Sequence, residues 1–125
     1  MKRVVLGVGV EPGTPPAHVH DLLATLEPPL RRPHVVATVD TRAGEPAVTA
    51  LAAGRPLRLY PTAALATVDV PNPSPTVRRL TGTASVAEAA ALLAARELDP
   101  DAVLVVEKRR GEGATVAVAV AVVPA

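Results

Sequence analysis

Ten residues near the C-terminal end limit what this chain can fold into more than any others. Residues 114–123 read ATVAVAVAVV, with Val116, Val118, Val120 and Val122 alternating with Ala117, Ala119 and Ala121. Period-two alternation of β-branched residues predicts a strand. Neither of its faces is polar, so both must be covered. That places the strand inside a sheet with helices on both sides. Residues 3–10 form a second apolar, β-branched run, with Gly7 and Gly9 near its end, that predicts another buried strand.

Fourteen prolines punctuate the rest of the 125 residues. Proline is excluded from helix interiors and central strands, so the runs between prolines are the candidate elements. Thr14 before Pro15 reads as a helix N-cap, and Ala17, Leu22, Leu23 and Leu26 give the following helix its apolar stripe up to Pro28-Pro29. Residues 34–39 predict a strand, and 45–53 a short helix stopped by Gly54. Residues 57–60 predict a third strand, and 61–67 one or two helical turns. Ser74-Pro75 opens a further helix. Ser85 and Glu88 form a capping box for a helix from Val86 to about Ala95. Residues 102–106 predict a strand joined to 114–123 by a turn at 109–113. The order β-α-β-α-β-α-α-β-β, with right-handed crossovers and a final hairpin, predicts a three-layer α/β/α sandwich. Its sheet is mixed, mainly parallel and of about five strands, and one domain spans residues 1–125.

Composition removes several function classes. Without cysteine there is no disulfide, cysteine zinc site or thiol nucleophile. The net charge is +1 and Tyr60 is the single aromatic, which argues against nucleic-acid binding. No apolar run reaches the ~18 residues of a membrane span, and the basic-then-apolar start reads as a buried strand rather than a signal peptide. A cytoplasmic location is expected. His18 and His20 point apart on a helix and, with His34, do not make a metal site. Neither a metal nor a cofactor is expected.

In open α/β sheets ligands bind at the carboxyl ends of the strands. Those ends collect Gly9, Glu11, Thr14, Asp40, Arg42, Glu45 and Lys108, with Asn72 and Ser74 on a proline-stiffened turn nearby. Gly7-Val8-Gly9 with Gly13 lacks the spacing of a dinucleotide fingerprint. It either lets the strand turn into the helix or presents helix-start N–H groups to a carboxylate. Arg42 offers a planar fork to a carboxylate. Glu45, Asp40 and Lys108 are the candidate catalytic groups, the two acids as general base and Lys108 or Arg42 as oxyanion partner. Ser74 and Ser85 are first of all caps, and Lys108-Arg109-Arg110 is first of all a solvated basic turn.

One block carries a resemblance. Val70, Pro71, Asn72, Pro73, Ser74, Val77, Gly82, Ser85, Val86, Glu88, Ala89, Ala90, Ala91 and Leu92 follow the V-P-N-P-S…V…G…S-V-A-E-A-A-A-L pattern of the cobalamin biosynthesis family that comprises CobE and the C-terminal domain of CbiG. Gly7-Val8-Gly9, residues 37–40, Arg42, Glu45-Pro46, Lys108 and residues 115–119 extend the likeness along the chain. The chain departs from the family in having Val10, Glu11 and Pro12 where cysteine and basic residues are common. The resemblance implies a protein of corrin-ring biosynthesis that binds or helps process an anionic precorrin, with or without cobalt. Gly9, Thr14, Arg42, Asn72 and Ser74 would be the substrate-binding residues. Two alternatives stand beside it. One is a small hydrolase, or a split subunit of a cobalt-precorrin-5A hydrolase that opens a ring lactone and releases acetaldehyde. The other is a structural docking module for another enzyme of the pathway. The expected partners are a tetrapyrrole and other cobalamin-pathway enzymes, with neither nucleic acid nor membrane; self-association stays open.

Overall fold

The computed structural model describes residues 1–72 and 85–124. Along the chain run β1 (Lys2–Val10), α1 (Pro16–Ala24), a 3-10 turn (Pro28–Arg31), β2 (Val35–Val39), a second 3-10 turn (Asp40–Arg42) and α2 (Pro46–Ala52). Then follow β3 (Leu57–Tyr60), a single helical turn α3 (Thr62–Leu65), α4 (Val86–Leu98), β4 (Val103–Gly111) and β5 (Ala114–Val122). The strand order is β3-β2-β1-β5-β4. β1, β2 and β3 pair parallel, and β5 pairs antiparallel with both β1 and β4. Four strands therefore share one direction and β5 alone opposes them, the mixed and mainly parallel sheet expected.

The two faces of β5 meet different layers. Val116 and Val118 pack with Leu6, Val8, Val19, Leu22 and Val48 under α1 and α2. Ala119 and Ala121 pack with Val5, Ala37 and the alanines of α4. The reason for alanine on that side lies in the register. Gly7 of β1 is opposite Ala37 of β2 and Ala117 of β5, a row of small residues across the middle of the sheet. Onto that row comes a helix whose inner face is Ala87, Ala90, Ala91 and Ala94, each buried. With so little side chain between them, backbone approaches backbone. A Cβ added at Gly7 would lie 1.9 Å from the Ala87 carbonyl oxygen and 2.8 Å from the Ala91 nitrogen. Gly7 is thus a packing device rather than a turn former.

Three local expectations are corrected. Thr14 does not cap α1: the N-cap is Pro15 and no side chain bonds to the helix start. The Thr14 hydroxyl instead shares its one proton between the carbonyls of Glu11 (2.8 Å) and, across the molecule, Gly113 (3.0 Å). β4 runs on through Lys108, Arg109 and Arg110 to Gly111, leaving only Glu112 and Gly113 in the turn, with Gly113 at φ +70°. Charges there read as a loop, but they belong to an edge strand, where charge opposes edge-to-edge pairing. α4 continues past Ala95 to Leu98. The helix expected from Ser74 lies outside the described residues.

Replacing Gly7 by alanine should lower unfolding free energy by about 3 kcal/mol or more, because neither backbone group it strikes can move aside. Gly44→Ala, where an added Cβ meets nothing within 4 Å, should stay within about 0.5 kcal/mol. Urea unfolding midpoints of the two variants check the contrast.

Candidate functional site

The first turn of α4 holds the one buried acid of the described residues. Ser85 is the N-cap, with an extended backbone (φ −162°), and its Oγ accepts from the Glu88 N–H at 3.4 Å. The Ser85 half of the expected capping box is therefore present. The Glu88 half is not: its carboxylate turns inward and is fully buried. It accepts from the Asn72 N–H at 3.2 Å, from Asn72 Nδ2 at 2.9 Å and from the Lys108 N–H at 3.0 Å. Burying a carboxylate without such donors costs several kcal/mol, so these bonds are what make the position tenable.

Lys108 can give its N–H because β4 is irregular there. The β4–β5 register shifts between Val106 and Arg109. The extra residue of a bulge leaves the ladder, and its backbone groups are turned to other partners. Asn72 in turn bridges two acids, its Nδ2 also donating to Glu107 Oε1 at 2.6 Å. Both oxygens can only accept, which fixes the nitrogen of the amide on their side. The Lys108 ammonium has its pKa lowered, first by burial and then by the neighbouring Arg110 cation, while Glu88 acts the other way.

A second group of candidates lies beyond the end of β1. Arg42 Nε donates to the Val10 carbonyl at 3.0 Å. Glu45 Oε1 accepts from the Gly13 N–H at 2.7 Å. Glu11 N–H donates to the Gly113 carbonyl and Thr14 N–H to the Glu11 carbonyl. The start of α1 has little left for a ligand. Pro15 and Pro16 carry no N–H, and His18 N–H already donates to the Pro15 carbonyl. Glu45, expected as a general base, occupies the N-cap position of α2 and serves the Gly13 turn.

The 10–14 turn and the 40–45 loop therefore do meet, through Arg42–Val10 and Glu45–Gly13. Asn72 and Lys108 meet on Glu88. Gly9 lies between the two groups, where an added Cβ would stand 3.6 Å from Val86 Cβ at the start of α4. Asp40 is exposed at the head of its 3-10 turn. Ser74 lies outside the described residues. Glu88 and Glu107 were not expected as site residues. A signal for Glu88 existed: it is a lone acid in a helix start whose neighbours are otherwise apolar.

Removal of the Glu88 carboxylate should strand three donors. Glu88→Ala is expected to cost about 3 kcal/mol or more, and Glu88→Gln, which keeps one acceptor oxygen, about 1–3 kcal/mol. Chemical unfolding of both variants measures the difference. If the acid were only a helix-start charge, the cost would stay within about 1 kcal/mol.

Three comparisons place this architecture. Residues 4–119 match the family model described as cobalamin synthesis G C-terminus. The crystal structure of CobE, a protein from the cobalamin (vitamin B12) biosynthetic pathway, superposes with a TM-score of 0.84 at 31% identity, covering 95% of this chain and 93% of that one. The cobalamin biosynthesis protein chiG from Agrobacterium tumefaciens str. C58 shares the fold, with a TM-score of 0.65 at 24% identity over 93% and 96% of the two chains. No curated protein matches. With its mixed five-stranded sheet, its alanine helix seated on Gly7 and a family match over nearly its whole length, the chain belongs to the cobalamin synthesis G C-terminal family.

Proposed function

We propose that this chain serves corrin-ring biosynthesis by binding an anionic precorrin at the carboxyl edge of its parallel strands. The observation that carries the reading is the state of Arg42, taken together with the family. Its Nε is fixed on the Val10 carbonyl. Its two terminal nitrogens have no partner among the described residues. A guanidinium anchored at one corner and open along one side is prepared for a bidentate carboxylate. Corrin precursors carry several carboxylates around the ring. Lys108, beyond Gly9 and the start of α4, supplies a second cation for another of them.

Binding rather than autonomous hydrolysis is the better supported activity. A general base needs a carboxylate available to a water. Glu45 is engaged by Gly13 N–H, and Glu88 and Glu107 are engaged by Asn72. Asp40 stands exposed to solvent at the head of its 3-10 turn. The chain then acts as a substrate-holding partner for another enzyme of the pathway.

An absorbance titration with a precorrin tests this directly. Arg42→Ala should weaken binding by about 1.5–3 kcal/mol, the range for a charge-assisted hydrogen bond. Mass spectra taken after incubation with a lactone-bearing precorrin should show the ligand unchanged. Unaltered affinity in Arg42→Ala would move the site elsewhere, and efficient release of aldehyde by the purified chain would make it an enzyme.

A further inference from the structure

On the other side of the sheet from α4, beyond the 3-10 turn at Pro28–Arg31, lies an open cleft of about 510 Å³. This is within the size range of small-molecule sites, roughly 300–1,000 Å³. It takes no part in the site described above. Its floor is apolar: Val4, Leu30, Val106 and Val120 line it. Val105, on the edge strand β4, brings a half-exposed side chain to its wall. Among the described residues, the polar groups around this floor are Lys2, His34 and Arg109, with Glu27 as the one acid.

Two of those polar groups are held in place by the backbone. Arg109 Nη1 donates to the Thr25 carbonyl at 2.6 Å and lies 3.1 Å from Thr25 Oγ1. That anchors the guanidinium, and its other N–H groups meet no acceptor among the described residues. His34 Nδ1 accepts from the Val4 N–H at 2.9 Å. A ring nitrogen that accepts carries no proton, so in the neutral ring the proton sits on Nε2, which is a donor. Surface side chains ordinarily lose rotamer freedom when they bind; these two have already lost much of it.

We propose that this cleft binds an amphipathic carboxylate. Its apolar body rests on the valine and leucine floor, and its carboxylate is received by Lys2, Arg109 and His34 Nε2–H. The proposal does not depend on the precorrin reading. Lys2, Arg109 and the His34 Nε2–H donor set against Glu27 select an anion, and the floor selects one with an apolar body. A peripheral acid of a macrocycle and a small aryl or alkyl acid share this chemistry.

The test is a fluorescence and calorimetric titration of the full chain with 2-naphthoate. Saturable one-site binding is expected. Lys2→Glu and Val105→Glu, both at exposed positions, should each weaken it about tenfold with the melting temperature unchanged. The neutral 2-naphthamide should bind at least about tenfold more weakly than the acid. Displacement of naphthoate by uroporphyrin would assign the carboxylate to a tetrapyrrole, and failure to displace would assign it to a small acid. Absence of saturation in the millimolar range, or equal affinity for acid and amide in the unaltered chain and both variants, overturns the proposal.

Discussion

The distance between α4 and β1 governs the rest of this molecule. A helix can sit on a sheet with its backbone almost touching only where neither partner has side chains in the way. Gly7, Ala37 and Ala117 clear that space on the sheet, and the alanines of α4 clear it on the helix. The seating is a steric fact before it is an energetic one, since any Cβ at Gly7 overlaps the Ala87 carbonyl. Alanine contributes little area for burial, so the layer depends on closeness of packing more than on apolar bulk. On the opposite face the larger valines and leucines do the conventional work of a core.

Closeness has a consequence for chemistry. It brings the first turn of α4 within reach of the bulge in β4, and Glu88 becomes the acceptor for a backbone N–H that the ladder has released. The same carboxylate collects the backbone and side chain of Asn72. One buried acid thus ties together a helix start, an edge strand and the loop that follows α3. On the other side of Gly9, Glu45 closes the Gly13 turn and Arg42 closes the end of β1. The carboxyl edge is built from internal carboxylate–donor pairs, with the Arg42 guanidinium and the Lys108 ammonium beside them.

Much of the fold could be read from the amino acids because it follows from local rules. The two apolar faces of residues 114–122 require an interior strand, and β5 is one, between β1 and β4. Ser85 caps its helix as serine in that position does. The departures at Thr14, Glu88 and Gly7 come from long-range partners. Thr14 looks like a cap, but its hydroxyl is drawn to Gly113, far away in sequence. Glu88 looks like half of a capping box, yet three donors outside its own turn compete successfully for its carboxylate. Gly7 looks like part of a strand-to-helix turn, and only the helix above it reveals why no side chain fits. Spacing along a chain records what neighbours can do; it does not record which distant group will arrive. The candidate site follows the same division: the 10–14 and 40–45 segments meet as strand-end logic requires, while the role of Glu88 depends on tertiary contact alone.

Amide hydrogen exchange at Lys108 tests the central claim most directly. If Glu88 holds the released N–H of the β4 bulge, that amide exchanges slowly although it is absent from the β4–β5 ladder, and Glu88→Gln or Glu88→Ala speeds it while the amides of β1 and β5 keep their protection. Rapid exchange at Lys108 in the unaltered chain, or protection there that survives removal of the Glu88 carboxylate, would contradict the account.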